Sequence, residues 1–286
     1  MKWIKKRLIY AHSATTPTPI LLNEKTIRVY AGHRDKSGVS RIGYVDVDAA
    51  NPVKIRRISR KPVLDVGKPG TFDDNGVILG DVVRYGKTLR MYYVGFQHVQ
   101  KVKFLAFSGL AISNDGGETF VRVSDAPIFD RAPHECYFRA IHSVIREDNI
   151  WKIWYASGDS WQIIAGKPFP AYAIFYTESK DGQTFPPTRI RCIRPTGTEY
   201  RIGRPRVYKT RAGYEMFYTI GTKDKKFYPG YAVSRDGVHW RRKDREVDIG
   251  PLCYPALLRV HKTTYMFYNG TDMGDSGFGY AILGDK

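Results

Sequence analysis

Short apolar runs rich in tyrosine, each closing on small or polar residues, recur five times along the chain. They are Ile27–Asp35, Leu89–Phe96, Trp151–Asp159, Tyr214–Asp224 and Tyr265–Asp272. Aligning Tyr30, Tyr93, Tyr155, Tyr218 and Tyr268 gives steps of 63, 62, 63 and 50 residues. A second run follows each first one, and in three copies it closes on Ser-x-Asp-Gly and an aromatic: Gly109–Phe120, Tyr172–Phe185 and Tyr231–Trp240. Arg41–Asp48 and Gly279–Asp285 are looser copies. Asp-Gly between two strand patterns marks a hairpin, because glycine accepts the positive φ of a tight turn. No long segment carries the 3.6-residue period of a helix.

A step of about 60 residues fits four strands, the content of one propeller blade. The pattern therefore predicts an all-β fold, a five-bladed β-propeller with four-stranded antiparallel blades, occupying residues 1–286 as a single domain. The fifth repeat ends one strand short, and the strand-like segment Trp3–Tyr10 is left over at the N-terminus. Supplying the missing strand from that segment closes the ring and removes an open sheet edge.

In such a fold the first strand of each repeat runs along the central axis. Its start shares one face with the end of the second strand. Residues converging there include His12, Asp73 and Asp74; Glu135 and Arg139; Arg201, Arg204 and Tyr254; and Asp159 from a second-strand end. Carboxylates, arginines and aromatics around one funnel suit glycoside chemistry. There one carboxyl protonates the leaving oxygen, and a second acts as base or nucleophile or steadies the oxocarbenium-like centre. Asp73-Asp74-Asn75-Gly76 also reads as a plain turn, as do Asp35, Asp159 and Asp272.

The segments Phe72–Val77, Leu89–Gly95 and Gly109–Phe120 resemble the five-bladed glycosidase superfamily of arabinanases, invertases and mannoside phosphorylases. With Arg204-Pro205, Tyr254-Pro255, Met266–Gly270 and Gly277–Ala281 added, the likeness is greatest to uncharacterised propeller proteins of bacterial surface-polysaccharide gene clusters. The resemblance implies a glycoside hydrolase or glycosyltransferase acting on a surface polysaccharide or its precursor. It places Glu135, in Glu135-Cys136, as the general acid and Asp74 as base or charge stabiliser. His12, Asp73, Arg139, Asp159, Arg204 and Tyr254 would hold substrate. The invertase-like nucleophile motif is absent, since His12-Ser13-Ala14-Thr15-Thr16-Pro17 stands in its place. That departure keeps a second function class open, a non-catalytic glycan-binding propeller.

Forty-six Lys and Arg against 28 Asp and Glu give a formal charge of +18. The balance favours an anionic partner. The expected ligand is a glycan, a sugar nucleotide or a lipid-linked sugar. Basic clusters at Lys5–Arg7, Lys54–Lys61, Arg189–Arg194 and Arg241–Arg245 predict a contact with an anionic membrane surface or a charged polysaccharide. Nucleic acid is not expected, because the aromatics follow the strand pattern of a core rather than interleaving with the cations. No spacing suggests a metal or other cofactor. Three cysteines, no leader pattern and no membrane-length apolar run predict a cytoplasmic protein, peripheral to the inner membrane.

Overall fold

The computed structural model describes residues 1–284, and the side chain of Asp159 is outside the described residues, as is the end of Gly279–Asp285. It is almost entirely β-structure, with one short 3-10 helix at Asp244–Glu246. After β1 (Trp3–Tyr10), strands β2 (Thr15–Asn23), β3 (Thr26–Arg34), β4 (Ser40–Asp48) and β5 (Ile55–Ile58) pair antiparallel in chain order. The pattern repeats in β6 (Val77–Tyr85), β7 (Thr88–Gln97), β8 (Leu105–Ser113) and β9 (Val121–Arg122). It recurs in β10 (Phe138–Glu147), β11 (Ile150–Ile164), β12 (Lys167–Ser179) and β13 (Ile190–Ile193). A fourth set is β14 (Glu199–Thr210), β15 (Gly213–Thr222), β16 (Phe227–Ser234) and β17 (Arg241–Arg242). Finally β18 (Cys253–Val260), β19 (Thr263–Asn269) and β20 (Phe278–Leu283) pair in order, and β1 adds to β20 as the outer strand.

The alternation of each strand puts one face against the set before and the other against the set after. Tyr30 and Tyr44 pack with Met91 and Phe107, for example, and Trp154 with Met216 and Tyr218. Val29 and Val45 of the first set share a cluster with Phe267 and Phe278 of the last. Burying such side chains contributes about 1.5–3 kcal/mol each.

The Ser-x-Asp-Gly turns lock the sets together. Ser113, Ser179 and Ser234 hydrogen-bond to Asp115, Asp181 and Asp236 at 2.7, 2.9 and 2.9 Å. Each turn then offers a glycine carbonyl to an aromatic of the preceding set. Tyr30 donates to Gly117 at 3.0 Å, Tyr92 to Gly182 at 3.0 Å and Trp154 to Gly237 at 2.7 Å. Tyr265 of the last set donates in the same way to Ala49 of the first.

The first strands of the sets, β2, β6, β10, β14 and β18, contact one another in succession, and β18 also contacts β2. Their common axis positions the site.

Candidate functional site

Each of these five inner strands carries a β-bulge at the same place in its repeat. The pairing register slips at Thr16-Pro17, Gly80, His142, Arg204-Pro205 and Tyr254-Pro255. A bulge bends its strand and re-aims a side chain. Thr16, Arg204 and Tyr254 take φ of 55°, 55° and 57°. For residues with a Cβ, and above all for β-branched Thr16, this conformation is strained by about 1–3 kcal/mol. Neighbouring strands hold it in place. The Thr16 N–H donates to Asn269 Oδ1 at 2.9 Å, and the Tyr254 N–H to Thr219 Oγ1 at 2.8 Å. At Gly80 a Cβ would lie 2.2 Å from the Ile141 carbonyl oxygen, so only glycine fits.

Arg204 ties the axis together. It is 3% exposed. Its Nη1 donates to the carbonyls of Leu79 and Gly80 and to His142 Nδ1, and its Nη2 donates to Thr18 Oγ1 at 2.8 Å. One guanidinium on β14 thus reaches β2, β6 and β10. Among the described residues no carboxylate pairs with it: the buried Asp81 bonds Arg206 instead. Burial and the neighbouring Arg206 push the Arg204 pKa down to about 9. At Arg206 burial also opposes the charge, but Asp81 and Tyr208 together outweigh it and the pKa is raised. Burial, Arg204 and Arg206 hold the His142 pKa well below its ordinary value.

Above this floor opens a cavity of about 830 Å³, within the range of small-molecule sites. Thr16, His142, Arg204 and Tyr254 line it, so four of the five bulges face one space. Phe96, Phe104, Phe138, Phe169, Tyr172 and Tyr254 give it aromatic walls. The β11–β12 hairpin extends beyond its neighbours and turns at Ala165-Gly166, with φ of 50° and 75°. It brings Lys167 and Phe169 to the cavity. Trp161 on the same hairpin meets Phe104 edge-on at 5.4 Å.

Several residues expected at the axis lie elsewhere. Glu135 is 1% exposed and does not line the cavity. It pairs with Arg139 at 2.9 Å and Arg189 at 3.5 Å, and accepts from the Tyr155 hydroxyl at 3.0 Å. With both oxygens engaged it presents no face to a ligand. Arg139 is committed to that pair and to the Phe129 ring, 3.5 Å away. Asp73, also 1% exposed, accepts from Arg122 at 2.8 Å and Thr71 at 2.9 Å. In the fourth repeat Asp244 bonds Arg242 and accepts from Tyr218. The aligned tyrosines Tyr93, Tyr155 and Tyr218 therefore each sit against an acid–arginine pair. In each, burial and then the carboxylate raise the phenol pKa. This recurrence places Asp73, Glu135 and Arg139 in a packing motif outside the cavity lining, apart from the roles expected of them, general acid for Glu135 and substrate contact for Asp73 and Arg139.

Asp74 does not line the cavity either. Its Oδ2 accepts from the Gly70 N–H at 2.8 Å, while Oδ1 is buried without a partner. His12 is exposed, beside Tyr10 at 5.2 Å, and does not line the cavity. Arg204 and Tyr254 do line it. His142, missed at the sequence level, shares the bulge register with Thr16, Arg204 and Tyr254, at steps of 64, 62, 62 and 50 residues once Gly80 is included. Among the described residues no three His, Cys, Asp or Glu side chains cluster as metal ligands would.

No family model matches the chain. It is 30% identical over 302 residues to the uncharacterized protein Rv1502 of Mycobacterium tuberculosis H37Rv, with 99% of each chain covered. It matches the uncharacterized protein MT1551 of M. tuberculosis CDC 1551 at the same identity and coverage. Among solved structures, a thermostable family-43 glycoside hydrolase superposes with a TM-score of 0.72 at 16% identity, covering 98% of this chain and 91% of the other. A BT0996–RGII complex gives 0.71 at 18% identity, covering 99% and 91%. A family-130 structure gives 0.69 at 13% identity, covering 99% and 93%. The chain shares the propeller-type fold of these glycoside hydrolases.

Proposed function

We propose a carbohydrate-binding function for this chain, which belongs to the family of the M. tuberculosis protein Rv1502. The observation that carries the proposal is the axial cavity. Aromatic faces bind the apolar faces of sugar rings, and a few fixed polar groups at the base set orientation. Strained backbone at Thr16, Arg204 and Tyr254, all facing that cavity, supports the same reading. The architecture proposed with it is one domain of five blades, the ring closed by β1. Two features support it: the recurrence of four paired strands, and the packing of the last set on the first.

Recognition stands ahead of catalysis because no Asp or Glu among the described residues lines the cavity. Glycoside hydrolysis is the second reading. It is favoured by the shared fold and by the unpartnered Oδ1 of Asp74, next to the lining residues Asn75 and Gly76. A glycan array read for both retention and product tests both. Wild-type protein is expected to retain one class of glycan, and Tyr254→Ala to lose it. Equal retention by the variant would exclude the axial cavity as the site. Product formed by wild type but not by Asp74→Asn would move the assignment to hydrolysis.

A further inference from the structure

The cavity is charged with one sign. Arg34, Lys101, Lys103, Lys167, Arg201 and Arg204 line it, and no Asp or Glu among the described residues does. Among the described residues only Arg34 of this set has an ion pair, with Asp275. Arg201 is enclosed by the rings of Tyr172, Tyr200 and Phe227, at 5.7, 5.0 and 4.9 Å. Its one side-chain hydrogen bond among the described residues goes to the Met273 sulfur at 3.7 Å. A guanidinium has five N–H donors in a planar fork that matches the oxygens of carboxylate or phosphate. Here they are screened from water by aromatic rings and lack an oxygen acceptor. A half-buried charge in that state is costly until a counter-charge completes it. Arg204 adds a second buried charge, since Asp81 is taken by Arg206. Lys103 and Lys167 come from two neighbouring elements, the β7–β8 loop and the β11–β12 hairpin, and both are exposed where they line the cavity.

We infer that the glycan taken by this cavity carries an oxyanion, a phosphoryl or carboxylate group, seated on Arg201 with Lys103 and Lys167 also lining the cavity. The sugar part of this inference rests on the carbohydrate reading above, and the anion part does not. The aromatic walls then take the sugar ring, and the charge decides which sugars enter. The lysines attract the ligand from solution. Arg201 provides the paired hydrogen bonds that fix its orientation.

Calorimetric titration of the full chain with four probes tests this: inorganic phosphate, a hexose 1-phosphate, a hexuronate and the neutral hexose. The expected result is binding of the hexose 1-phosphate or the hexuronate, weakened at high ionic strength, with the neutral hexose failing to bind. Comparing the two charged sugars distinguishes phosphoryl from carboxylate. Arg201→Gln is expected to weaken binding roughly 10–100-fold, the scale of hydrogen bonds to a charged group. The exposed pair Lys103→Gln/Lys167→Gln should weaken it roughly tenfold, and it does not disturb the packed floor. Neutral hexose binding as well as its charged forms would overturn the anion inference and leave the carbohydrate reading standing. Binding of phosphate with no sugar bound would do the reverse. No binding by any probe, or charged-sugar affinity unchanged in both variants, would overturn the inference.

Discussion

Arg204 Nη1 lies 3.2 Å from His142 Nδ1, and only one arrangement of protons makes that a bond. A guanidinium can donate but not accept. His142 Nδ1 must therefore accept, which fixes the imidazole as neutral with its proton on Nε2. The two residues occupy equivalent bulges on β14 and β10, so the fold holds a neutral histidine against a buried cation at its axis.

Stability should then fall on mild acidification. Burial, Arg204 and Arg206 keep the folded-state pKa of His142 well below 6.5, whereas the unfolded chain takes up the proton near that value. The unfolded state binds more protons as pH drops below about 6.5. The contribution is complete above that pH and is lost below it, by at most about 1.4 kcal/mol per pH unit. Half-buried His33, also depressed by desolvation, acts with the same sign. Urea unfolding between neutral pH and the acid side of 6 measures the slope. His142→Asn should reduce it markedly, and an unchanged slope would remove His142 from the account.

Glu135→Gln separates packing from catalysis. It leaves Arg139 and Arg189 without the carboxylate they share. Removing one partner of a buried pair typically costs about 3–5 kcal/mol. Unfolding midpoints should show a loss of that order, and Asp73→Asn should behave alike through Arg122. Glycan binding by the folded fraction should stay at the wild-type level. A Glu135→Gln protein as stable as wild type but unable to bind or turn over glycan would restore the acid to the site.

Gly117→Ala probes the clasp between neighbouring sets. The added Cβ would lie 2.0 Å from the Tyr30 hydroxyl oxygen, and the residue sits at φ +91°. A loss of about 2–3 kcal/mol is expected from overpacking and backbone strain together. In the double variant with Tyr30→Phe the overlap with the hydroxyl disappears, while the 2.9 Å approach to Leu89 Cδ1 and the φ strain remain. The double-mutant cycle should show a favourable coupling of about 1 kcal/mol. Strict additivity would mean that the clasp is not in contact.

The repeat period was legible because each set repeats the same tyrosine-bearing second strand, from Tyr30 to Tyr268. The place of the cavity followed from strand direction alone. Asp73 and Glu135 sit away from the cavity for a physical reason. Asp73 and Glu135 enter inner strands, and a strand entry can aim a side chain at the axis or between sets. What decides is the arginine waiting there, Arg122 or Arg189, some 50 residues along the chain. The basic outer strands likewise have partners within the fold. Arg57 is paired by Glu118 of the next set, and Arg242 by Glu199, so part of that charge is already matched. A better signal lay in Thr16-Pro17, Arg204-Pro205 and Tyr254-Pro255. Proline after a bulged residue removes an N–H that the register slip would leave unpaired.

Removing residues 1–10 tests the proposed closure. Strand β1 pairs with β20 from Trp3 opposite Leu283 to Tyr10 opposite Phe278. Trp3 is 6% exposed and meets Phe217 edge-on at 6.2 Å, and Ile9 packs into the cluster shared by the first and last sets. Truncation would strip both anchors and leave β20 with a row of unpaired backbone groups, an edge open to other chains. Trp3→Ala alone should cost about 3–5 kcal/mol. The truncated chain should lose more, unfold less cooperatively and self-associate as its concentration rises. Differential scanning calorimetry and light scattering read these effects directly. If β1 were only an appended strand, the truncated chain would keep the wild-type Tm and stay monomeric, and the closed five-blade reading would fail.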